Sequence, residues 1–147
     1  MQMSRNEILF ERIKTIEDFL DAEKHGFTIH FKTTQPEMPG ATILHEACRC
    51  CYLELIKFLV EERGGDLSLR DFDDCTPLGY IVNDDVMAEF LSSGVYETVN
   101  LGCENAKQII SAIEYLIEIK APCAYCERDY SLKYVKNCLE KIKNQMR

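Results

Sequence analysis

Apolar residues recur at intervals of three and four along most of the chain, the spacing that lays them on one face of a helix. In the first stretch, NEILFERIKTIEDFLDAEKHGF, such a face is made by Ile8, Phe10, Ile13, Ile16, Phe19 and Leu20, and His25, Gly26 and Phe27 close it. The following HFKTTQPEMPGA carries Pro36 and Pro39, which forbid a helix and predict an enlarged hairpin. Leu53, Ile56, Leu59 and Val60 form a second apolar face, with Glu54, Lys57 and Glu61 left for water. Asp84 to Leu91 predicts a short helix ending at Ser92, Ser93 and Gly94, and Asn105 to Lys120 a longer one with Ile109, Ile110, Ile113, Leu116 and Ile117 on one side. Ser131 can cap a last helix, in which Leu132, Val135, Cys138, Leu139 and Ile142 keep helical spacing. Helix pairs this short cannot bury an apolar face alone, so several must pack together.

The pattern also repeats. TILHEA begins at Thr42 and TPLGYI at Thr76, 34 residues later. Both carry the outline of T-P-L-H-x-A, with Ile43 in place of the proline in the first copy and Gly79 in place of the histidine in the second. Ala47 and Cys48 fill paired small positions, Gly64-Gly65-Asp66-Leu67 reads like the turn G-A-D-V, and Arg70 to Leu78 reads like an outward hairpin leading into the next unit. Over residues 37–94 the chain resembles the ankyrin-repeat family. Cys51 and Asp74 stand where that family usually has glycine.

The resemblance implies an all-α fold: a solenoid of stacked helix-turn-helix units with short β-hairpin loops, about 3–4 units including degenerate caps. Residues 1–147 are then a single ankyrin-repeat domain, with a degenerate first unit and long hairpin at 1–36, core repeats at 37–94 and a degenerate unit with a capping helix at 95–147.

Charge narrows the partners. A formal net charge of −8, from 25 acids against 17 bases, disfavours nucleic acid and anionic membranes and suits a protein with a basic or mixed basic and apolar surface. The acids concentrate in Asp66, Asp71, Asp73, Asp74, Asp84, Asp85 and Glu89, whereas Lys133, Lys136, Lys141, Lys143 and Arg147 make the end of the chain basic. No stretch approaches the roughly 20 apolar residues that cross a bilayer. Eight cysteines behind an N-terminus without a charged-then-apolar leader predict a cytosolic or nuclear protein in a reducing compartment.

The cysteines are the candidate chemistry. Cys123-x-x-Cys126 has the spacing of half a zinc knuckle or of a redox pair, and His45, Cys48, Cys50 and Cys51 could add ligands. No second pair stands at matched spacing, and thioredoxin-type chemistry needs a strand before its pair, which the helical stripe and Pro122 do not predict. A small zinc-binding or thiol-redox protein using Cys123 and Cys126 is thus the alternative reading. Asp71-Phe72-Asp73-Asp74 lacks the central glycine and closing glutamate of a calcium loop. The reading adopted is non-catalytic, with no cofactor and no metal.

Within the family, the histidine of the repeat motif braces the hairpin by hydrogen bonding, so His45 is assigned a structural role together with Thr42, Thr76 and Pro77. The resemblance also implies that a partner protein binds across hairpin tips and the exposed side of each first helix. Carried over by position, the first unit offers Met38, Pro39 and Ala41 on its hairpin and Glu46, Arg49 and Cys50 on its helix. The second offers Phe72, Asp73 and Cys75, then Tyr80, Asn83 and Asp84. Such a module acts as an adaptor or an inhibitor, on the pattern of small ankyrin inhibitors of kinases or Rel-type transcription factors, including pathogen-encoded forms that act in a host cell. Either a monomer or a weak homo-oligomer joined through the last helices fits this reading.

Overall fold

The computed structural model describes residues 3–93 and 106–145. Two short helices come first: α1 (Arg5–Arg12), capped by the Ser4 hydroxyl, and α2 (Ile16–Lys24), where Thr15 and Asp18 form a reciprocal capping box. Residues 31–41 then fold back on themselves, with Thr33 N–H donating to Ala41 O at 2.9 Å and Gly40 N–H to Thr33 O at 2.8 Å. Glu7, a buried carboxylate on α1, holds this loop by accepting from Thr33 Oγ1, Thr34 N–H and Thr34 Oγ1.

A second helix pair follows, α3 (Ile43–Arg49) and α4 (Leu53–Glu61). After it come a single 3-10 turn (Leu78–Tyr80), α5 (Asp84–Ser93), α6 (Ala106–Glu118), a hairpin of β1 (Cys123–Tyr125) and β2 (Arg128–Tyr130), and α7 (Leu132–Gln145). The strands are antiparallel, with Cys123 opposite Tyr130 and Tyr125 opposite Arg128. Ser131 accepts from Tyr134 N–H at 3.1 Å and so starts α7 as its sequence predicts.

Packing shows how the pieces are related. α2 lies against α4, α4 against α6 and α6 against α7, while α3 meets the 3-10 turn and that turn meets β1. α4 therefore contacts both α2 and α6, and α5 lies between the turn and α6 in the chain. One continuous core runs through these contacts and includes Phe10, Phe19, Ile56, Leu59, Ile109 and Ile113. Phe19 stands edge-on to Phe27 and Phe58, at centroid distances of 6.3 and 6.2 Å.

Three expectations change. The fold is mostly helical but not all-α, because the segment after Pro122 pairs as a β-hairpin. The first helix of the second copy contracts to one 3-10 turn. On α4 the buried face is Leu55, Ile56 and Leu59, with Leu53 and Val60 only half buried.

The helix ends share one device. Gly26, Cys51, Gly64 and Lys120 each take a positive φ, 90°, 57°, 66° and 58°. The chain then turns back to bond the helix it has left: Phe27 N–H to Ala22 O at 3.1 Å, Tyr52 N–H to Ala47 O at 3.0 Å, and Ala121 N–H to Leu116 O at 2.9 Å. Two of the four positions bear a side chain that disfavours this backbone by roughly 1 kcal/mol. Lys120 is exposed, so Lys120→Gly should raise stability by about 0.5–1 kcal/mol, read as a higher denaturant midpoint at unchanged slope.

Candidate functional site

The hairpin at 71–75 is built around Asp71, a buried carboxylate. Its Oδ1 accepts from Asp73 N–H at 3.0 Å and from Cys75 N–H at 2.9 Å, its own N–H donates to Cys75 O at 2.9 Å, and its Oδ2 takes the Tyr80 hydroxyl. Asp74 supplies the left-handed corner at φ 63°. These bonds fix where the tip points. At that tip Phe72 is 71% exposed, with its ring lying over Gly40 and Lys32 Nζ 5.9 Å from the ring centre.

His45 ties this hairpin to the helix pair before it. Thr42 N–H donates to Nδ1 at 3.1 Å, and Nε2 lies 3.0 Å from the Cys75 carbonyl. A carbonyl only accepts, so Nε2 carries the proton and Nδ1 is bare. The ring is fully buried. Burial is the main reason its pKa lies below the usual histidine value, against the opposing pull of the Cys75 carbonyl and the Asp71 charge.

Thr76, at the equivalent place in the second copy, has no histidine to answer to. Its N–H donates to Ala124 O at 3.0 Å, and its hydroxyl accepts from Ala124 N–H at 2.9 Å while donating to Pro122 O at 2.9 Å. The backbone of β1 thus occupies the space a side chain at 79 would need. A Cβ built on Gly79 would lie 1.7 Å from Ala124 O and 2.6 Å from its carbonyl carbon. Pro77 is buried at the start of the 3-10 turn.

The twelve residues expected to face a partner divide by burial. Met38, Ala41, Cys75 and Tyr80 are buried together and packed with Tyr125, so they form the wall from within. Cys50 is buried, which pushes its thiol up to about 11. Asn83 is buried too, donating to Gly79 O at 2.8 Å and accepting from Val86 N–H at 2.9 Å. Glu46 and Arg49, half buried, pair at 2.6 Å. Asp84, also half buried, accepts from the Tyr134 hydroxyl and pairs with Arg128, and these contacts hold its carboxyl below the usual range. Pro39 is half buried and offers its carbonyl to Phe72 N–H at 2.9 Å. Phe72 and Asp73 are the two that stand fully in the open.

Four of the twelve, Met38, Glu46, Arg49 and Tyr80, meet Gln35, Glu37 and Tyr125 around a cleft of about 300 Å³. Past Tyr80 and Tyr125 lies a smaller hollow, about 80 Å³, edged by Asp85 and Glu89. The tyrosine rings stand edge to face, 5.9 Å apart at 83°. Tyr125 escaped the sequence reading because the strand carrying it did. Glu37 in the cleft and Asp85 in the adjoining hollow are acids in the sequence, but their nearness is not visible there. A larger hollow of about 840 Å³ lies beneath the starts of α2, α4 and α6, and none of the twelve residues lines it.

Cys123 and Cys126 differ in burial and in partners. Cys123 is buried in β1 and directs its thiol to Val82 O at 3.2 Å, whereas Cys126 is exposed in the turn. Among the described residues no group of three or more His, Cys, Asp or Glu side chains is placed to hold a metal ion. No helix among them is long and apolar enough to cross a membrane.

Paired helices joined by tight left-handed corners, with a hairpin braced by a buried histidine, define a repeat-type scaffold. Residues 39–69 match the ankyrin repeat family model, a unit that in general mediates protein–protein interaction. No curated protein and no solved structure matches the chain.

Proposed function

We propose that the protein is a non-catalytic interaction module that grips a partner protein between the 71–75 hairpin tip and the cleft of Tyr80 and Tyr125. On this reading its units are turns of a short solenoid, and it works as an adaptor or as an inhibitor that competes for its partner's surface. The ankyrin match supports binding as the general role. The observation that carries the assignment of the face is Phe72, 71% exposed on a hairpin that Asp71 holds rigid. A large apolar side chain presented without freedom to collapse is the kind of anchor that dominates interface energies.

Acids edge the cleft at Glu37 and Glu46 and the adjoining hollow at Asp85 and Glu89, and the whole chain carries −8. The matching partner surface is basic around an apolar centre. The seven described cysteines are free thiols, which fits a cytosolic or nuclear setting.

Affinity capture from cell extract, with the Phe72→Ala, Asp73→Lys double variant as control, tests the face. Against the captured partner in pure form, the double variant should lose about 30-fold or more in affinity, with a Tm within about 2 °C of the parent. Equal binding by the two proteins rejects the face.

A further inference from the structure

Cys126 is the exposed member of the seven described cysteines; the other six are buried. It occupies the corner between β1 and β2, where it and Glu127 both take positive φ, 49° and 68°. From there its backbone N–H donates to Cys75 Sγ at 3.2 Å. A cysteine's own sulfur sits roughly 3–4 Å from its amide nitrogen, depending on χ1. Rotation about the Cys126 Cα–Cβ bond therefore sweeps its Sγ around the same nitrogen at a distance like that of Cys75 Sγ. The same contact keeps the two Cα atoms no more than about 7.5 Å apart, and the bend at each atom shortens this toward the span a disulfide bridges.

We propose that Cys75 and Cys126 are a reversible disulfide site, oxidised by a small-molecule disulfide such as glutathione disulfide, that fastens the β1–β2 corner to the 71–75 hairpin. Cys126 reacts first because it is the accessible thiol; burial, the leading cause, pushes the Cys75 thiol up to about 12. The Cys126 thiolate attacks one sulfur of glutathione disulfide, the S–S bond breaks, and one glutathione leaves as its thiolate. Cys75 gives up its proton and attacks Cys126 Sγ in the mixed disulfide, expelling the second glutathione. Two protein thiols are oxidised by two electrons in total, and glutathione disulfide is reduced to two glutathione molecules that take up the two protons.

The bond would join residues 51 positions apart in sequence, and closing a loop of that size removes much freedom from the unfolded chain. It also lies beside the cleft, since Cys75 packs with Tyr80 and Tyr125. Oxidation therefore pins Tyr125 against Tyr80. The site stands on this geometry alone and does not depend on the binding reading.

The folded protein is equilibrated in glutathione redox buffers and quenched with acid, and its peptides are assigned by tandem mass spectrometry. Digestion with trypsin and Asp-N separates Cys75 from Cys103, and the Cys126→Ser variant assigns the second sulfur against Cys123. The expected result is one dominant link between Cys75 and Cys126, absent in Cys126→Ser and in Cys75→Ala, together with a higher Tm for oxidised parent than for reduced parent. Because Cys126 is exposed, its serine variant keeps the fold and carries the assignment even if Cys75→Ala does not. A glutathione adduct that persists on Cys126, links elsewhere, or no oxidation across the buffer series overturns the proposal.

Discussion

Gly79→Ala should lower the unfolding midpoint by roughly 10 °C, equivalent to about 3 kcal/mol or more for a chain of this size. The added methyl meets backbone: Ala124 O at 1.7 Å and the Ala124 carbonyl carbon at 2.6 Å. No rotamer change relieves such a contact, so β1 must withdraw from the 3-10 turn. Withdrawal breaks both bonds between Thr76 and Ala124 and strands buried polar groups. Thermal unfolding of the variant checks the size, and a shift under about 3 °C would mean that the hairpin does not sit on the turn as described. Thr76→Val removes the hydroxyl bonds without crowding and should cost less, about 1–2 kcal/mol.

The second large effect belongs to His45. His45→Ala removes a buried ring and leaves Thr42 N–H and Cys75 O without their partner, for an expected loss of about 3 kcal/mol. Acid should act on the intact protein through the same ring. The folded pKa is lowered, so the unfolded chain takes up the proton first as pH falls. Stability that is complete above the unfolded value near pH 6.5 is therefore lost progressively below it, at up to about 1.4 kcal/mol per pH unit. Denaturant midpoints between pH 7.5 and 5 measure the slope, and His45→Gln should flatten it. Carboxylates held below their usual range, such as Glu23 beside Arg63 and Asp84, add their own loss only at lower pH. A parent protein equally stable at pH 7.5 and 5 would rule out the buried neutral ring.

How much of this was legible in the sequence depends on whether the signal was local. The α3–α4 unit was readable because helical spacing, the TILHEA motif and the turn glycines lie within a few residues of what they specify. Cys51 and Asp74, odd at positions that usually hold glycine, keep the left-handed backbone all the same, at φ 57° and 63°. There the pattern survives although the residue does not.

The second copy misled for a physical reason. TPLGYI predicts a helix by its kinship to TILHEA, but Gly79 carries no side chain to brace and instead admits a strand from far along the chain. Nothing near Thr76 announces that its partners are Pro122 and Ala124. The strand itself is three residues long, too short for alternation to show. The cleft was legible only in part for the same cause: Met38, Glu46, Arg49 and Tyr80 come from the repeat, whereas Tyr125 arrives with the unforeseen hairpin. Burial also thinned the expected face, because a position at a hairpin or on a first helix does not say which way a side chain as small as Ala41 or Cys75 turns.

The clasp between Thr76 and Ala124 spans 48 positions, and this sets an order of events for a chain emerging from the ribosome. The α3–α4 pair can form early, since its bonds are nearly all local. The 3-10 turn bonds locally, but Thr76 just before it must wait, its N–H without the Ala124 carbonyl, until β1 has been synthesised. Closing so long a loop is the slow step that topology predicts, so nascent chains halted before residue 123 should hold a folded front half and an unfinished second unit.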